Sequence, residues 1–272
     1  MLAMLAPLLR AARVSFWSIA VPAAGIAAGV AAWGAVHPTS EIFGPTLHDT
    51  RSRREIALTF DDGPNPAVTP QLLALLERHS VRASFFVVGR FARACPELVR
   101  EIAAQGHALG NHTETHPNLA LLSGTRIASE LGRCRESLAE ALRGGASAAE
   151  PRRWMRPPFG YRGPQLQVAV RRAGLRGVAM WSLMCYDWKP QPLPRLIARL
   201  GRVSARSGVY KKGARSALRA RRGGDVVLLH DGDYRALGAD QTHVLAALEH
   251  WLPRWRDAGL EFVTMDEAAG AM

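Results

Sequence analysis

Two adjacent aspartates stand out in the stretch LTFDDGPNP, which runs from Leu58 to Pro66. Asp61 and Asp62 separate a short apolar run from a turn that contains Gly63 and Pro64. Two like charges side by side are costly to desolvate unless a cation or strong hydrogen-bond donors compensate them. Aspartate is common in turns, but a turn needs only one. The pair therefore predicts a positively charged partner nearby.

Two histidines further along the chain suggest what that partner is. His112 and His116 in GNHTETHP are spaced i, i+4, so a single helical turn would place both imidazoles on one side. Pro117 disfavours a longer helix, and HTETH lacks the HExxH order of zinc proteases. Two histidines and one carboxylate form a recurring catalytic zinc set with an open position. An HxxxH pair alone is more often chance, so the aspartates are essential to this interpretation.

These residues need elements that bring them together. Short β patterns alternate with amphipathic helices, including Thr69 to His79 and Pro96 to Gln105, which predicts parallel strands in a doubly wound sheet or a barrel. Polar residues follow the predicted strands, and the carboxyl ends of parallel strands carry active residues. The predicted strands are 55–60, 83–88, 107–111, 153–156, 177–183, 226–230 and 261–264.

Three more motifs fall at such strand ends: RPPFG from Arg156, YDW from Tyr186, and LLHDG from Leu228. Each has an ordinary explanation when taken alone. His230 could simply be satisfied by Asp231, Arg156 could face solvent, and Trp188 could be a core aromatic. The joint pattern favours a functional site over these separate explanations.

Together, TFDDGP, HTETH, RPPFG, YDW and LLHDG resemble the five motifs of the polysaccharide deacetylases, the NodB-homology domain of carbohydrate esterase family 4. The resemblance spans about Glu55 to Asp266. It implies an α/β fold, a distorted (β/α) barrel with about seven parallel strands. It also implies a divalent metal, usually Zn²⁺, and removal of N-acetyl groups from GlcNAc-containing glycans.

The resemblance also implies roles for individual residues. Asp61 corresponds to the general base that takes a proton from the attacking water, and His230 to the general acid that protonates the leaving amine. The implied metal ligands are Asp62, His112 and His116.

Other residues would support these groups. Asp187 would favour the charged form of His230, and Arg156 would orient the catalytic Asp61. A backbone N–H near Phe159 would help to hold the developing oxyanion. Leu228 and Trp188 match positions that enclose the acetyl methyl group. Phe159 departs from the more usual Tyr, so a side-chain hydrogen bond to substrate is lost there.

The N-terminus predicts a separate element. From Val14 to Val36 the chain carries no charge, which is long enough for a transmembrane helix across a core of about 30 Å. Arg10 and Arg13 precede it, which predicts a single-pass protein in the cytoplasmic membrane with an extracytoplasmic catalytic domain. The alternatives are a buried Ala-rich helix, or a signal peptide cleaved near Gly29 to Ala31 and a secreted product. The predicted organisation is 1–36 anchor or signal, 37–54 linker and 55–272 catalytic domain.

Composition adds a charge bias. The 272 residues carry 35 Lys and Arg against 23 Asp and Glu, a net charge of +12, which suggests an anionic neighbour. Export disfavours nucleic acid. The three cysteines, Cys95, Cys134 and Cys185, match neither a disulfide framework nor a CxxC metal site, which predicts buried thiols.

The basic residues concentrate between Lys189 and Gly224, a segment without an acidic residue. It begins with an amphipathic helix whose apolar row is Leu196, Leu200 and Val203 and whose basic row is Arg195, Arg199, Arg202 and Arg206. The basic face, together with the rest of 195–222, is either solvated or in contact with anionic lipid.

The motifs predict a metal-dependent de-N-acetylase of a glycan such as peptidoglycan, chitooligosaccharide or exopolysaccharide. A related deacylase of a lipid-linked sugar or small amide would use the same motifs. A glycan-binding or scaffold domain without catalysis is the third possibility.

Overall fold

The computed structural model of the protein describes residues 16–143, 154–189, 191–203 and 223–270. Strands and helices alternate along these segments, as the sequence predicts. The strands are β1 (Thr46–Leu47), β2 (Glu55–Asp61), β3 (Ser84–Val87), β4 (Ala108–Asn111), β5 (Trp154–Met155), β6 (Gly177–Ala179), β7 (Leu183–Met184), β8 (Asp225–His230) and β9 (Glu261–Phe262). The helices are α1 (Phe16–Val36), α2 (Thr69–Arg78), α3 (Gly89–Ala94), α4 (Pro96–Ala104), α5 (Gly124–Ala141), α6 (Leu166–Arg172), α7 (Leu193–Leu200), α8 (Thr242–Asp257) and α9 (Met265–Ala268). Short 3-10 turns occupy Leu119–Leu121 and Pro158–Gly160.

The strands form one parallel sheet in the order β1-β6-β5-β4-β3-β2-β8-β7, with β9 paired to the start of β2. The predicted strand 177–183 is in fact two strands, which pair near opposite ends of this order. Only three residues, 180–182, join them, so Ala179 and Leu183 lie at most about 14 Å apart. The sheet must therefore curl strongly. The prediction of a parallel α/β fold is confirmed, and its form is a curled half-barrel.

Alternation along β2 separates core residues from site residues. Ile56, Leu58 and Phe60 belong to one buried apolar cluster, which also contains side chains from α2, α4, α7 and α8. Ala57 belongs to a second cluster, with side chains from α5 and α6. Because successive strand residues point to opposite faces, Asp61 shares the face of Ala57. Asp61 also pairs in register with His230 of β8, which places both at the same sheet edge.

The segment His37 to Arg54, predicted to be a linker, is packed against the domain. Its strand β1 pairs in parallel with β6, and Thr50 is buried and bonded through its backbone N–H to the carbonyl of Gly224. Part of the backbone of this segment is thus hydrogen-bonded to the sheet and to the residue before β8, which a composition rich in Pro, Gly and Ser does not reveal.

The end of α1 is attached to the domain by Arg162, which is buried. The guanidinium donates to the carbonyls of Gly34, His37 and Ser40, while its backbone N–H donates to Ala35. Helix C-termini leave carbonyl groups without intrahelical partners, and Arg162 supplies the missing donors.

The prediction of a transmembrane helix gains no support from the structure. Within the described segments, no helix combines the length and the apolar character needed to cross a bilayer.

The predictions for the cysteines and for α7 can be compared directly. All three cysteines are buried thiols, as expected. Leu196, Leu200 and Val203 are buried against the apolar cluster of α8, which confirms the apolar row. In the basic row, Arg195 and Arg202 are exposed, whereas Arg199 is half-buried. Arg206 and most of the basic segment, residues 204–222, lie outside the described residues.

Candidate metal and catalytic site

Asp62, His112 and His116 meet at the carboxyl edge of the sheet. Their candidate ligand atoms lie within 4.8 Å of one another. Asp62 Oδ1 is 3.3 Å from Nε2 of His112 and 3.1 Å from Nε2 of His116. All three residues are buried. The sequence-predicted ligands are therefore brought together.

The backbone at this edge is held in an uncommon conformation. Asp62, Thr113 and His116 have φ values of 70°, 67° and 61°, in the left-handed region that non-glycine residues rarely occupy. Such conformations persist where surrounding contacts enforce them. Here the Thr113 hydroxyl accepts a hydrogen bond from the backbone N–H of His116, and the Asn111 side chain accepts one from that of Thr113. These contacts fix the loop that carries both histidines.

The donor set fits a divalent metal. His112 bonds through Nδ1 to the carbonyl of Arg156 at 2.9 Å, which leaves Nε2 as the ligand atom. Asp62 Oδ1 is a buried carboxylate oxygen without a hydrogen-bond partner among the described residues. Two ligands about 2.0–2.1 Å from a tetrahedral Zn²⁺ lie about 3.3–3.4 Å apart, close to the observed spacings. The neighbouring imidazoles hold the pKa of Asp62 well below its usual range, although burial acts in the opposite direction.

Asp61 is paired with Arg156 beside this cluster. Arg156 Nη1 donates to Asp61 Oδ1 at 2.8 Å and to the Thr59 hydroxyl at 2.7 Å, while Nη2 donates to the carbonyl of Met180. Burial lowers the pKa of Arg156, and the Asp61 carboxylate opposes that shift. Asp61 Oδ2 remains 3.8 Å from His112 Nε2. Arg156 therefore holds one oxygen of Asp61 and leaves the other facing the metal ligands.

His230 and Asp187 form the second charged pair. Asp187 Oδ1 lies 3.1 Å from His230 Nδ1, and Oδ2 accepts from the His230 backbone N–H at 2.6 Å. Burial alone would lower the pKa of His230. The Asp187 carboxylate, with smaller contributions from Asp62 and Asp61, instead raises it to about 9. The pairing with Asp187 therefore favours the imidazolium form of His230 at neutral pH.

The cavity beside these residues has a volume of about 580 Å³, within the usual size range of small-molecule sites. The catalytic and ligand candidates that line it are Asp61, Asp62, His112, His116 and His230. The three residues predicted to contact substrate, Phe159, Trp188 and Leu228, also line it. The Trp188 ring is 5.3 Å from the His230 ring, and Phe159 is 4.7 Å from His116.

The structure adds residues that the motifs did not single out. Tyr234 stacks on His116 with ring centroids 4.0 Å apart, and Asp233 and Arg235 line the cavity beside it. Asp233, Tyr234 and Arg235 could have been identified from the sequence by position, because DYR directly follows the strand-end motif LLHDG. Glu114, within HTETH itself, is fully buried and ion-paired with Arg93. No periodicity distinguishes such a carboxylate from an exposed one.

Comparison with known proteins agrees with this geometry. The family model "Polysaccharide deacetylase" matches residues 48–178. The chain is 34% identical to a chitooligosaccharide deacetylase of Bradyrhizobium sp., over 78% of this chain and 90% of that one. It is 33% identical to a peptidoglycan-N-acetylglucosamine deacetylase of Bacillus cereus, over 78% of this chain and 86% of the relative.

A solved structure gives the same result for the fold. The Bc1960 peptidoglycan N-acetylglucosamine deacetylase superimposes with a TM-score of 0.66 at 28% identity, covering 82% of this chain and 91% of that one. The extent of these matches shows that the chain belongs to the polysaccharide deacetylase family.

Proposed function

We propose that the protein is a metal-dependent hydrolase that removes N-acetyl groups from GlcNAc-containing glycans. One observation carries the proposal: a metal-ligand set, a carboxylate held by arginine and a charged histidine held by aspartate all face one cavity. Hydrolysis of an amide requires a proton acceptor for water and a proton donor for the amine, and these pairs supply both.

The residues divide the reaction between them. Asp61, with one oxygen held by Arg156, accepts the proton of the attacking water at its other oxygen. His230 donates a proton to the leaving amine nitrogen, and Asp187 keeps it protonated until then. Leu228 and Trp188 enclose the acetyl methyl group, and the backbone at Phe159 supplies an N–H to the developing oxyanion.

Asp62, His112 and His116 would hold the divalent metal. When bound, such an ion polarises the acetamide carbonyl and lowers the pKa of water. Imidazole and carboxylate donors in this number are typical of catalytic Zn²⁺, which we propose as the ion.

The substrate class follows from the relatives. The curated relatives named above are deacetylases of chitooligosaccharide and of peptidoglycan N-acetylglucosamine. Both names describe GlcNAc-based glycans, and we propose the same class for this chain.

Acetate release from chitopentaose tests the proposal directly. The purified protein should release acetate, lose activity with a chelator, and regain it when Zn²⁺ is restored. His112→Ala should stay inactive after Zn²⁺ is added, because one ligand is missing. Activity that survives both the chelator and His112→Ala would overturn the metal-dependent mechanism.

The alternatives give different outcomes in the same assay. A binding or scaffold domain would retain chitopentaose without releasing acetate. A deacylase of lipid-linked sugars or small amides would release acid from those compounds and not from chitopentaose.

We also propose that the catalytic domain works outside the cytoplasm, held at the membrane by its N-terminal segment. The support is the uncharged run from Val14 to Val36 behind Arg10 and Arg13, and the exposed apolar side chains of α1 such as Ile26 and Trp33. A reporter that is active only outside the cytoplasm, fused after Met272, should be active. Recovery of the protein in the soluble fraction at low salt would contradict the attachment.

Contact of the basic segment 195–222 with anionic lipid is a separate proposal, based on its charge. Vesicles containing phosphatidylglycerol should bind the protein less well as salt rises, since screening shortens to about 3 Å at 1 M. Substitution of Arg195 and Arg202, both exposed, by Gln should weaken this binding. Binding that is insensitive to salt and to these substitutions would leave the segment as an ordinary solvated face.

A further inference from the structure

Two of the five motifs, TFDDGP and LLHDG, pack against each other through their backbones. The backbone N–H of Asp231 donates to the carbonyl of Asp61 at 3.3 Å. A Cβ added at Gly232 would lie 2.4 Å from the carbonyl oxygen of Asp62, so the two chain segments are in close contact there. The positions of both aspartates of the DDGP turn are therefore coupled to the residues that directly follow His230.

Asp231 is a buried carboxyl group to which the proposed chemistry assigns no role. The residue is 1% exposed, and the described residues that line the cavity do not include it. The Thr69 hydroxyl donates to its Oδ2 at 2.5 Å, whereas Oδ1 has no hydrogen-bond partner in the described part of the chain. A buried oxygen without a partner is costly, so this carboxyl group requires an explanation.

The carboxyl group of Asp231 lies directly against Gly63 of the DDGP turn. A Cβ added at Gly63 would be 2.4 Å from Oδ2 and 2.5 Å from Oδ1 of Asp231. The φ of Gly63 is not positive, so its neighbour and not its own backbone conformation requires the glycine. From another direction, the backbone N–H of Val88 donates to the carbonyl of Gly63 at 3.0 Å. The turn is thus fixed between Asp231 and the end of β3.

Thr69, the first residue of α2, keeps the carboxyl group in this place. Its hydroxyl accepts a hydrogen bond from the backbone N–H of Asn65 at 2.8 Å and donates its own proton to Asp231. The Asn65 side chain donates to the carbonyl of Asp231 at 3.0 Å. Thr69, Asn65 and Asp231 are all buried, so these hydrogen bonds form a closed network beneath the DDGP turn.

We propose that Asp231 is a positioning residue that orients Asp61 and Asp62 by fixing Gly63. The part of this inference that concerns Asp61 rests on the proposed deacetylase function, whereas the part that concerns Asp62 requires only metal binding. Because one turn carries both a general base and a metal ligand, loss of its support should impair proton transfer and metal affinity together. A misplacement of about 1 Å can cost about 100-fold in rate.

The first experiment compares Asp231→Ala with Asp231→Asn. Alanine removes the group that lies against Gly63, so Zn²⁺ affinity should fall about 10- to 100-fold. At saturating Zn²⁺, kcat on chitopentaose should fall about 100-fold with KM within about twofold of the wild type, because Asp231 does not line the cavity. Asparagine has the same shape and can still accept from Thr69, so both values should stay within about threefold of the wild type. Equal losses in the two variants would assign the effect to charge and overturn the inference.

Asp225→Ala is the matched control. Asp225 is also a buried carboxyl group, and it accepts from the Ser182 hydroxyl at 2.6 Å. It begins β8, about 20 Å from Asp231 at about 3.3 Å per residue. The control should lower the unfolding temperature and leave Zn²⁺ affinity and kcat of the folded protein unchanged. A loss of Zn²⁺ affinity equal to that of Asp231→Ala would overturn the specific role of Asp231.

A second pair of variants leaves Asp231 in place and decides the question if Asp231→Ala does not fold. Thr69→Val keeps the shape of threonine without its hydroxyl, and Thr69→Ser keeps the hydroxyl. Thr69→Val should weaken Zn²⁺ binding about tenfold or more, whereas Thr69→Ser should stay within about threefold of the wild type. Wild-type affinity in Thr69→Val would overturn the inference.

The contact between Gly63 and Asp231 can be tested by a double-mutant cycle. Gly63→Ala alone should weaken Zn²⁺ binding, because the added methyl group would meet the Asp231 carboxyl group. In the Asp231→Ala background, the same methyl group should cost at least about fivefold less in affinity. Losses that simply multiply would show that the two residues act independently, which contradicts the inference.

Zn²⁺ affinity is measured by competition with a chromophoric chelator and does not depend on catalysis. If the wild type releases no acetate from chitopentaose but the variants change Zn²⁺ affinity as expected, the proposed function fails and the positioning of Asp62 stands. If the wild type is active and both Asp231→Ala and Thr69→Val retain its Zn²⁺ affinity and kcat, the inference alone is overturned.

Discussion

The two sides of the cavity differ in how their charges are balanced. On the proton-transfer side, each charged residue already has a counter-ion in the protein: Arg156 for Asp61, and Asp187 for His230. On the side of the candidate metal ligands, the buried Asp62 is paired with two imidazoles and with no Arg or Lys among the described residues, and burial lowers the pKa of His116 despite that carboxylate. The pKa of His116 is thus lowered and that of His230 is raised, although both line the same cavity.

This difference shows which side of the cavity requires a cation that the protein itself does not supply. A buried carboxylate without a cation is costly, whereas a paired one is largely compensated. The Asp61 and His230 pairs are compensated as they stand, whereas Asp62, His112 and His116 form the set that the proposed divalent ion would complete. Asp61 and Asp62 are neighbours in the same DDGP turn, yet Asp61 is compensated by Arg156 within the protein, whereas Asp62 requires an additional cation.

The largest effects should come from replacing one residue on each side of the cavity: Asp61, the proposed general base, and His112, a proposed metal ligand. Asp61→Asn should retain metal and lower kcat by about 100- to 10,000-fold, the usual contribution of a general base. His112→Ala should lose both metal and activity, because it removes a ligand. Metal content of the purified proteins, with activity on chitopentaose, separates the two variants. If Asp61→Asn loses metal as completely as His112→Ala, the division between the two sides is wrong.

A second test removes the counter-ion of His230. Its pKa of about 9 means that the imidazolium is present below that pH and is lost above it. A bound divalent cation favours the neutral form, so the alkaline limb of the wild-type kcat/KM profile should lie at or below about 9. In Asp187→Asn, burial acts without the compensating carboxylate, so the alkaline limb should move down to about the ordinary histidine pKa of 6.5 or below, which corresponds to about a 30-fold loss of kcat/KM at pH 8.

The pH–rate profile and metal content together decide this prediction. Asp187→Asn should keep its metal, since Asp187 contacts none of the proposed ligands. A lower plateau with an unmoved alkaline limb would assign Asp187 a purely structural role.

A smaller effect should come from the support of the ligand loop. Glu114 is buried between Arg93 and the Ser137 hydroxyl, and a Cβ at Gly89 would lie 2.0 Å from its Oε2. Groups that support metal ligands typically contribute 10- to 100-fold to metal affinity. Glu114→Gln should therefore weaken Zn²⁺ binding within about that range, measured by competition with a chromophoric chelator.

Glu130→Gln, on α5, is the matched control because Glu130 also bonds to the loop that carries the histidines. Glu130 accepts hydrogen bonds from the backbone and hydroxyl of Thr115 near the surface, where such contacts contribute little. Its Zn²⁺ affinity should stay within about twofold of the wild type. Equal losses in both variants would mean that loop attachment in general, and not the buried pair, determines affinity.

The smallest effect concerns the proton-transfer side. Arg199 donates to the carbonyl of Cys185 at 2.8 Å and lies 4.7 Å from the centre of the Tyr186 ring, which braces the loop that carries Asp187. One hydrogen bond and one cation–π contact contribute about 1 kcal/mol each or less. Arg199→Gln should lower kcat/KM about threefold to tenfold with metal unchanged, and Arg195→Gln should not. Identical kinetics for Arg199→Gln and Arg195→Gln would show that Arg199 contributes no more to activity than the exposed arginines of the basic row.

Local sequence patterns were sufficient to predict the location of those site residues that directly end a buried strand. Asp61 and His230 each end a buried strand, so parallel pairing places them at one edge. The alternation in β2 and β8 then determines which face they share. The roles of individual ligands came from the family resemblance and not from spacing.

What the sequence could not reveal depends on tertiary contacts. The strand 177–183 divides because its two halves pair with different strands, β5 and β1 for one and β8 for the other. Arg199 looks like its neighbours in the basic row, yet a loop on the adjacent strand end provides its partners. The stacking of Tyr234 on His116 joins residues 118 positions apart in the chain, a distance over which no periodic pattern extends.

Arg162 gives α1 a mechanical relation to the cavity. Its side chain bonds to the carbonyl of Gly34 in the last turn of the helix and to those of His37 and Ser40 just after it, and its neighbour in sequence, Tyr161, lines the cavity. A rotation of α1 about its last turn would pull on the same peptide that positions the Tyr161 ring. The position of α1 and the position of the Tyr161 ring in the cavity wall are therefore set through adjacent residues of one chain segment, and a displacement of the helix would act on that wall through Arg162.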